Sequence, residues 1–114
     1  MRLVLVVSPY SGEVERNTAY ARAALADSLS RGEAPLAFHL LYTQPGVLDD
    51  AVPRERWQGI YAGLLWIDVA DAVAVYRDLG VSAGMEAEID YAVRLGKPLV
   101  HRSLREWAGV PVGG

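Results

Sequence analysis

The first residues of the chain constrain its fold most strongly, because Leu3–Val7 is an unbroken run of apolar, mostly β-branched side chains. A strand that faced water on one side would alternate apolar and polar residues, so this run is typical of a strand buried on both faces of a parallel sheet. A second apolar run, Ala72–Tyr76, is predicted to form another strand. Such strands need helices on both faces of the sheet, which indicates an α/β fold.

Helical and extended patterns alternate along the rest of the chain. Helices are predicted for residues 13–30, 53–69 and 84–95, and further strands for residues 36–42, ending near His39, and 98–101. A short turn over residues 103–107 and a tail rich in Gly and Val follow. This order predicts βαβ units and a mainly parallel sheet of four to five strands. The buried stripe of the first helix is expected to contain Val14, Thr18, Ala21, Leu25 and Leu29.

Composition excludes several kinds of function. The 114 residues, 52% of them hydrophobic, suit one domain over residues 1–114 with a real core. A net charge of −3 argues against duplex nucleic acid as a partner. The chain has no cysteine for disulfide or thiolate chemistry, and its two histidines are too far apart to suggest a metal site. The apolar N-terminus is too short for a membrane span and lacks a signal-peptide pattern, so we expect a cytoplasmic protein without a membrane partner.

Residues 76–92 are predicted to carry the chemistry, because they form a strand end, a turn of small residues and a helix. In open α/β sheets, ligands bind at the carboxyl ends of strands. On a helical wheel of about 100° per residue, Met85, Ile89 and Ala92 share the core face, and Glu88 falls on the same apolar arc. A carboxylate in that setting is either a cleft residue or a buried group with a partner.

Two alternatives remain for Glu88 at this point. It can simply complement the partial positive charge of the helix N-terminus. Alternatively, Glu88 is a nucleophile, and the same dipole is expected to keep its carboxyl group ionised, as a nucleophile requires. Asp78 follows the preceding strand on the same rim, and two carboxyl groups facing one ligand are the minimum for cleaving a glycosidic bond. The alternative for Asp78 is an ordinary loop residue.

The loop after the first strand is the second candidate region. Its backbone N–H groups lead into a helix N-terminus, where anions bind, although the glycines and lysine of a Walker loop or dinucleotide fingerprint are missing. Tyr10 offers a ring for stacking and a hydroxyl group, whereas Ser11 alone is more simply read as a helix cap. His39 and Ser82 also have structural readings, as a hydrogen-bonded rim histidine and a helix cap.

Several motifs together resemble the nucleoside 2-deoxyribosyltransferase-like superfamily. They are the sequence Ser-Pro-Tyr-Ser-Gly at residues 8–12, Asn17, residues 80–88, Ala92 and Gly-Lys-Pro at residues 96–98. The family includes nucleoside deoxyribosyltransferases, nucleoside 5′-monophosphate N-glycosidases and small, often phage-encoded proteins, to which this chain is most similar. The resemblance implies a Rossmann-like (flavodoxin-like) three-layer sandwich and a homodimer or higher homo-oligomer in which a neighbouring subunit completes the pocket.

The resemblance also implies roles for individual residues. The family's nucleophilic glutamate lies six residues after a serine, which points to Glu88 after Ser82. It implies that Tyr10 orients this nucleophile and that Ser82 binds the 5′-hydroxyl or phosphate group. Further substrate-binding positions are Ser8, Ser11, Gly12, Asn17, His39, Gly84 and Met85.

Two features of the family pattern are missing. Residues 62–64 are Ala-Gly-Leu where the glycosidases carry an aspartate, and the arginine-bearing glycine loop is absent. Asp78 is the candidate to replace the acid, and Arg16 or Arg77 the candidate to replace the cation.

The sequence therefore predicts an enzyme that cleaves or exchanges the N-glycosidic bond of a (deoxy)nucleoside or its 5′-monophosphate, without a metal or organic cofactor. A first alternative is a module of the same fold that binds a nucleotide or nucleotide-derived signal without turnover. A second is a structural oligomer that associates through an aromatic stripe of Trp57, Tyr61 and Trp66.

Overall fold

The computed structural model describes residues 1–109, and the Gly- and Val-rich tail from residue 110 onward lies outside the described residues. The strands are β1 (Leu3–Val7), β2 (Ala34–Leu36), β3 (Ala72–Tyr76) and β4 (Leu99–Arg102). The helices are α1 (Val14–Ser30), α2 (Phe38–Leu41), α3 (Pro53–Val69) and α4 (Ala83–Arg94), and a 3-10 turn covers Arg105–Trp107. No helix within the described residues is long and apolar enough to cross a membrane.

The four strands form one parallel sheet in the order β2-β1-β3-β4. The central strands are in register from Val4 opposite Ala72 to Val7 opposite Val75. This is the order of the first four strands in a flavodoxin-like sheet. The predicted α/β, Rossmann-like fold with a mainly parallel sheet of four to five strands is confirmed, with four strands in the described part of the chain.

Helices cover both faces of the sheet, because alternate residues of each strand point in opposite directions. On one face, Val4 and Val6 pack with Tyr20 of α1 and with Leu104 beside the 3-10 turn. On the other face, the core combines residues of β1 and β3 with residues of α2, α3 and α4: Leu5, Val7, Val73, Val75, Phe38, Ile67, Met85 and Ala92. The molecule is thus a three-layer sandwich, as predicted.

The prediction for the second strand was wrong. β2 is only three residues long, Ala34–Leu36, and the following Phe38–Leu41 is a helical turn. A short apolar run fits a buried strand and a buried helix equally well, so its periodicity could not distinguish them. Pro35 is tolerated in β2 because β2 is an edge strand.

The buried stripe of α1 was also predicted incorrectly. Ala21 is buried, but Val14 and Leu29 are exposed. The buried face of the helix consists of Asn17, Tyr20, Ala21, Ala24 and Ser28, so it includes an amide and two hydroxyl groups. Burial of these groups is offset by hydrogen bonds that the Asn17 amide nitrogen and the Tyr20 and Ser28 hydroxyls donate, as when the Ser28 hydroxyl donates to Glu33 Oε1 at 2.7 Å.

Gly63 allows α3 to approach α2 closely. A Cβ atom at this position would lie 2.0 Å from Cε2 of Phe38, whose ring is buried in the core. We therefore expect Gly63→Ala to lower the free energy of unfolding by about 1–3 kcal/mol through overpacking, measured by urea denaturation. In the control Gly59→Ala, the new Cβ would meet only Leu48 Cδ1 at 3.2 Å. The gain in helix propensity, up to about 1 kcal/mol, should offset that contact, and equal losses in both variants would contradict this account.

Candidate active site

A pocket lies at the carboxyl ends of β1 and β3, the two central strands. The chain leaves β1 toward β2 on one side of the sheet and β3 toward β4 on the other, so this is the switch point where α/β proteins bind ligands. Water-sized spheres can occupy about 60 Å³ of this pocket, which is open to solvent at its mouth. Of the residues predicted to bind substrate or act in catalysis, it contains Ser8, Tyr10, Ser11, His39, Ser82, Gly84, Met85 and Glu88.

The start of α4 fixes how its side chains face the pocket. Gly80 adopts a φ of +89°, which favours glycine, and the chain turns there before the helix. Ser82 then caps the helix, since its Oγ accepts a hydrogen bond from the Met85 N–H at 3.3 Å. The Met85 sulfur in turn accepts from the Ser82 N–H at 3.4 Å. Ser82 is therefore both a helix cap and a pocket residue.

Glu88 is buried in this pocket, with 5% of its surface exposed. Its Oε2 has no hydrogen-bond partner among residues 1–109. Burial raises the pKa of Glu88 to about 8, because the charged form loses its hydration. The expectation that the helix dipole keeps Glu88 ionised is corrected: desolvation dominates, and the carboxyl group is mostly protonated at pH 7.

His39 lies on α2 and not at a strand end. Its Nε2 is 2.8 Å from Ser8 Oγ, while its Nδ1 is buried and finds no partner in the described part of the chain. Burial lowers the pKa of His39 to about 4, so the ring is neutral at pH 7. Only one of its two nitrogens is thus satisfied within the protein.

The pocket therefore contains two buried polar atoms without partners, Glu88 Oε2 and His39 Nδ1. An unsatisfied buried polar atom costs about 1–3 kcal/mol. Such an atom calls for an explanation in terms of function, water or a bound species. Their presence in one pocket marks it as a place where a ligand can supply the missing hydrogen bonds.

The loop after β1 forms one wall of the pocket. Asn17 holds this loop, because its Nδ2 donates to the carbonyl groups of Tyr10 at 2.9 Å and Ser11 at 3.0 Å. Asn17 does not line the pocket, so its predicted contact with substrate is replaced by a positioning role. Ser11 does not cap α1 and instead donates to Asp50 Oδ2 at 2.8 Å. Gly12 lines an outer groove that adjoins the pocket.

Asp78 does not share the pocket with Glu88, so the predicted pair of facing carboxylates is wrong. Its Oδ2 accepts hydrogen bonds from the Tyr20 hydroxyl and the Leu104 N–H, each at 2.7 Å, and its Oδ1 accepts from Ser103. Burial opposes ionisation of Asp78, but these bonds outweigh it and hold its pKa below the usual value. Asp78 fastens the 3-10 turn to α1, on the other face of the sheet.

Sequence reasoning missed one whole wall of the pocket, which α2, the loop after it and the start of α3 provide. It comprises Phe38, Tyr42, Thr43, Leu48, Asp50, Glu55, Arg56, Gly59 and Ile60. The available signal was that residues following β2 must emerge at the same rim as those following β1 in a parallel sheet. Placing the second strand several residues too late hid this signal.

The predicted replacements for the missing cation are not in the pocket either. Neither Arg16 nor Arg77 lines it, and Arg77 Nη1 instead lies 2.9 Å from His101 Nδ1. Arg56 is the one cationic side chain in the lining formed by the described residues. The family aspartate also has no counterpart among residues 62–64. The space beside Gly63 is filled by the ring of Phe38.

Comparison with models of protein families identifies the family of this chain. Residues 2–102 match the model of a domain of unknown function, DUF7768. The chain belongs to the DUF7768 family. No curated protein matches this DUF7768 chain.

Among solved structures, the DUF7768 chain is similar to a 2-desoxiribosyltransferase from Leishmania mexicana. The two share 20% sequence identity with a TM-score of 0.57, over 90% of this chain and 65% of the other. At this identity the likeness shows a common fold, in agreement with the predicted Rossmann-like architecture. The chain spans about two thirds of the length of that transferase.

Proposed function

We propose that this chain cleaves or exchanges the N-glycosidic bond of a (deoxy)nucleoside or nucleoside 5′-monophosphate, with Glu88 as the nucleophile. The observation that carries the proposal is the buried Glu88, whose Oε2 has no hydrogen-bond partner among the described residues, in a pocket at the switch point of the sheet. The fold likeness to a deoxyribosyltransferase supports the same class of chemistry. So does the spacing of six residues between Ser82 and Glu88.

The reaction balances in two steps. Glu88 gives up its proton to solvent, its carboxylate attacks the anomeric carbon, and the C–N bond breaks with its electron pair passing to the base. The departing base takes up a proton, and a glycosyl ester remains on Glu88. Water then attacks the anomeric carbon, the ester bond to Glu88 breaks and regenerates the carboxylate, and the water loses a proton to solvent. In exchange, a second base attacks instead and loses its N–H proton in the same way. Tyr10 and Ser82, which line the same pocket, would hold the sugar and its 5′ group.

Incubation with a panel of nucleosides and nucleoside 5′-monophosphates tests this proposal, with chromatography to detect free base. A second candidate base added to the mixture distinguishes exchange from hydrolysis. Mass spectrometry of acid-quenched protein should show one added glycosyl group on the peptide that contains Glu88. Free base without any glycosylated peptide, even with slow substrates, would contradict covalent catalysis.

One observation favours the alternative of a binding module without turnover. Asp78 is outside the pocket, so no second carboxylate of the predicted pair faces the ligand. A protonated Glu88 is a poor nucleophile but a good hydrogen-bond donor. This alternative predicts tight nucleoside or nucleotide binding by calorimetry with no product. It also predicts that Glu88→Gln keeps most of the affinity, because glutamine retains a donor and an acceptor.

We also propose that the chain forms a homodimer through α3. Apolar side chains at four-residue spacing are exposed along this helix, and the rings of Trp57 and Tyr61 lie 6.1 Å apart. Contiguous exposed apolar surface of this kind often marks an interface. The members of the stripe are Trp57, Tyr61, Leu65 and Val69, with Trp66 beside them.

Sedimentation measurements at micromolar concentration should therefore give the mass of a dimer. We expect Leu65→Glu to shift the protein to monomer, because a charge cannot be buried unpaired in an apolar interface. Leu29→Glu is the matched control, since Leu29 is a similarly exposed leucine on α1, on the other face of the sheet. A dimer that persists in Leu65→Glu would rule out this surface.

A further inference from the structure

The mouth of the pocket is acidic. Asp50 and Glu55 line the pocket, and Arg56 is the one cationic side chain that the described residues contribute to its lining. The adjoining outer groove shares all three and adds Asp49. Three carboxylates and one guanidinium leave a formal charge of −2 around the opening. The two titratable groups deeper inside, Glu88 and His39, are neutral at pH 7 and do not offset it.

Two of the N–H donors at the α4 end of the pocket already have partners within the helix start. The N–H of Ser82 donates to the Met85 sulfur, and the N–H of Met85 donates to Ser82 Oγ. The N-terminus of α4 therefore satisfies part of its own hydrogen bonding, which weakens it as an anion site.

Side-chain donors at the loop after β1 also have partners already. The Ser11 hydroxyl donates to the Asp50 carboxylate, and the Asn17 amide donates to backbone carbonyls of the loop. Glu13 and Glu15 add negative charge where this loop enters α1. A phosphate group would thus meet carboxylates at the mouth of the pocket, and some of the donors near it already have partners.

From these observations we infer that the site selects nucleosides that lack a 5′-phosphate, and that Asp50 and Glu55 exclude the phosphorylated forms. This inference rests on the proposed function and narrows its substrate class. It does not depend on the acidic cluster alone, since Glu88 Oε2 lies in the same pocket, buried and without a hydrogen-bond partner in residues 1–109. Like charges brought together at a binding surface suppress the wrong ligand.

A matched pair of substrates tests the inference: one nucleoside and its 5′-monophosphate, compared by kcat/KM and by calorimetric affinity. We expect the nucleoside to be preferred by about 10- to 100-fold at low salt, with a smaller ratio at 0.5 M salt because exposed charges are screened. At low salt, the double variant Asp50→Asn/Glu55→Gln should also lower this preference for the nucleoside over its 5′-monophosphate. Each single variant is measured as well, and both replacements keep an oxygen acceptor for Ser11 and for the Asp49 N–H.

Asp90→Asn is the matched control, because it removes one negative charge from the exposed part of α4. It should leave the ratio unchanged. A 5′-monophosphate that is used as well as or better than the nucleoside would overturn the inference while leaving the proposed function intact. An unchanged ratio in the double variant would overturn the assignment to Asp50 and Glu55.

Failure of the proposed function gives a different result. If neither compound releases base but the nucleoside binds more tightly, catalysis is refuted and the selectivity stands as a property of a binding site. If neither compound binds or reacts, both the proposed function and the inference are refuted.

Discussion

Glu88→Gln is expected to lower kcat for release of the base by about a thousand-fold or more, because glutamine cannot form the glycosyl ester. The loss should appear in kcat and not only in KM, since the side chain keeps its shape and its hydrogen-bonding groups. Glu86→Gln is the matched control: it makes the same chemical change two residues earlier, where the side chain is exposed. Residual activity within tenfold of the unaltered protein would exclude Glu88 as the nucleophile.

The pH dependence of the same reaction gives an independent measurement of Glu88. Attack requires the carboxylate, and burial raises the pKa of Glu88 to about 8. Below this value the ionised fraction falls about tenfold per pH unit, and kcat/KM reports groups of the free enzyme. We therefore expect kcat/KM to rise about tenfold between pH 6 and pH 7 and to level off above pH 8. A profile already flat at pH 6 would show that the group that must be ionised for attack does not titrate near pH 8.

The same shift should also appear in stability. A raised pKa means that the folded protein binds more protons than the unfolded chain, so the contribution of Glu88 is complete below pH 4.5 and is lost as pH rises toward 8. His39 acts in the opposite sense between pH 4 and pH 6.5, because its pKa is lowered to about 4. From pH 6.5 to pH 8, Glu88 contributes most of the change from these two groups, because His39 of the unfolded chain is already half deprotonated at pH 6.5.

In that window, the free energy of unfolding should fall with pH by up to about 1.4 kcal/mol per unit. Glu88→Gln should remove this slope, whereas the exposed Glu86→Gln should keep it. Urea denaturation at pH 6.5, 7.2 and 8 measures the three proteins under identical conditions. Parallel curves for all three would show that Glu88 does not titrate near pH 8.

Much of the fold could be predicted from the sequence, because its helices are long and its central strands are buried on both faces. β1 and β3 are the two central strands and are buried from Val4 to Val7 and from Ala72 to Tyr76, so their apolar runs are unbroken. The extents of α3 and α4 were predicted to within one or two residues. β2 was misplaced because it is a three-residue edge strand next to a helical turn, and both contribute to one apolar stretch.

The candidate site was only partly readable, for a different reason. A helical wheel identifies a carboxyl group on an apolar arc, and this located Glu88 in the pocket. A helical wheel does not show toward which face of a sheet a loop side chain points. Asp78 was expected to face the same ligand as Glu88, but it contacts Tyr20 of α1 on the opposite face. Asp50 and Glu55 come from a loop and a helix start whose placement depends on the path of the chain after β2. That path is set by tertiary packing, such as Phe38 against Gly63.

The largest loss of stability is expected outside the pocket, at a buried ion pair. Arg102 and Glu33 are connected by two hydrogen bonds, at 2.7 and 2.8 Å, and their side chains are only 7% and 11% exposed. Glu33 also accepts from Ser28, and Arg102 Nη1 donates to the Tyr76 hydroxyl. The hydrogen bonds from Arg102 contribute most to holding the pKa of Glu33 at about 2. β2 and β4 are the two edge strands of the sheet, and the pair joins the residue before β2 to the last residue of β4.

Arg102→Met should lower the free energy of unfolding by about 3–5 kcal/mol at pH 7, because it leaves Glu33 buried without its partner. The loss should shrink at pH 3, where an unpaired Glu33 is protonated while in the unaltered protein it stays ionised. Combining Arg102→Met with Glu33→Gln should recover part of the loss, since no buried charge then remains. The exposed pair between Arg31 and Asp27 is the control, and Arg31→Ala should cost less than about 1 kcal/mol. Similar losses in Arg102→Met and Arg31→Ala would show that burial of the ion pair does not decide its contribution.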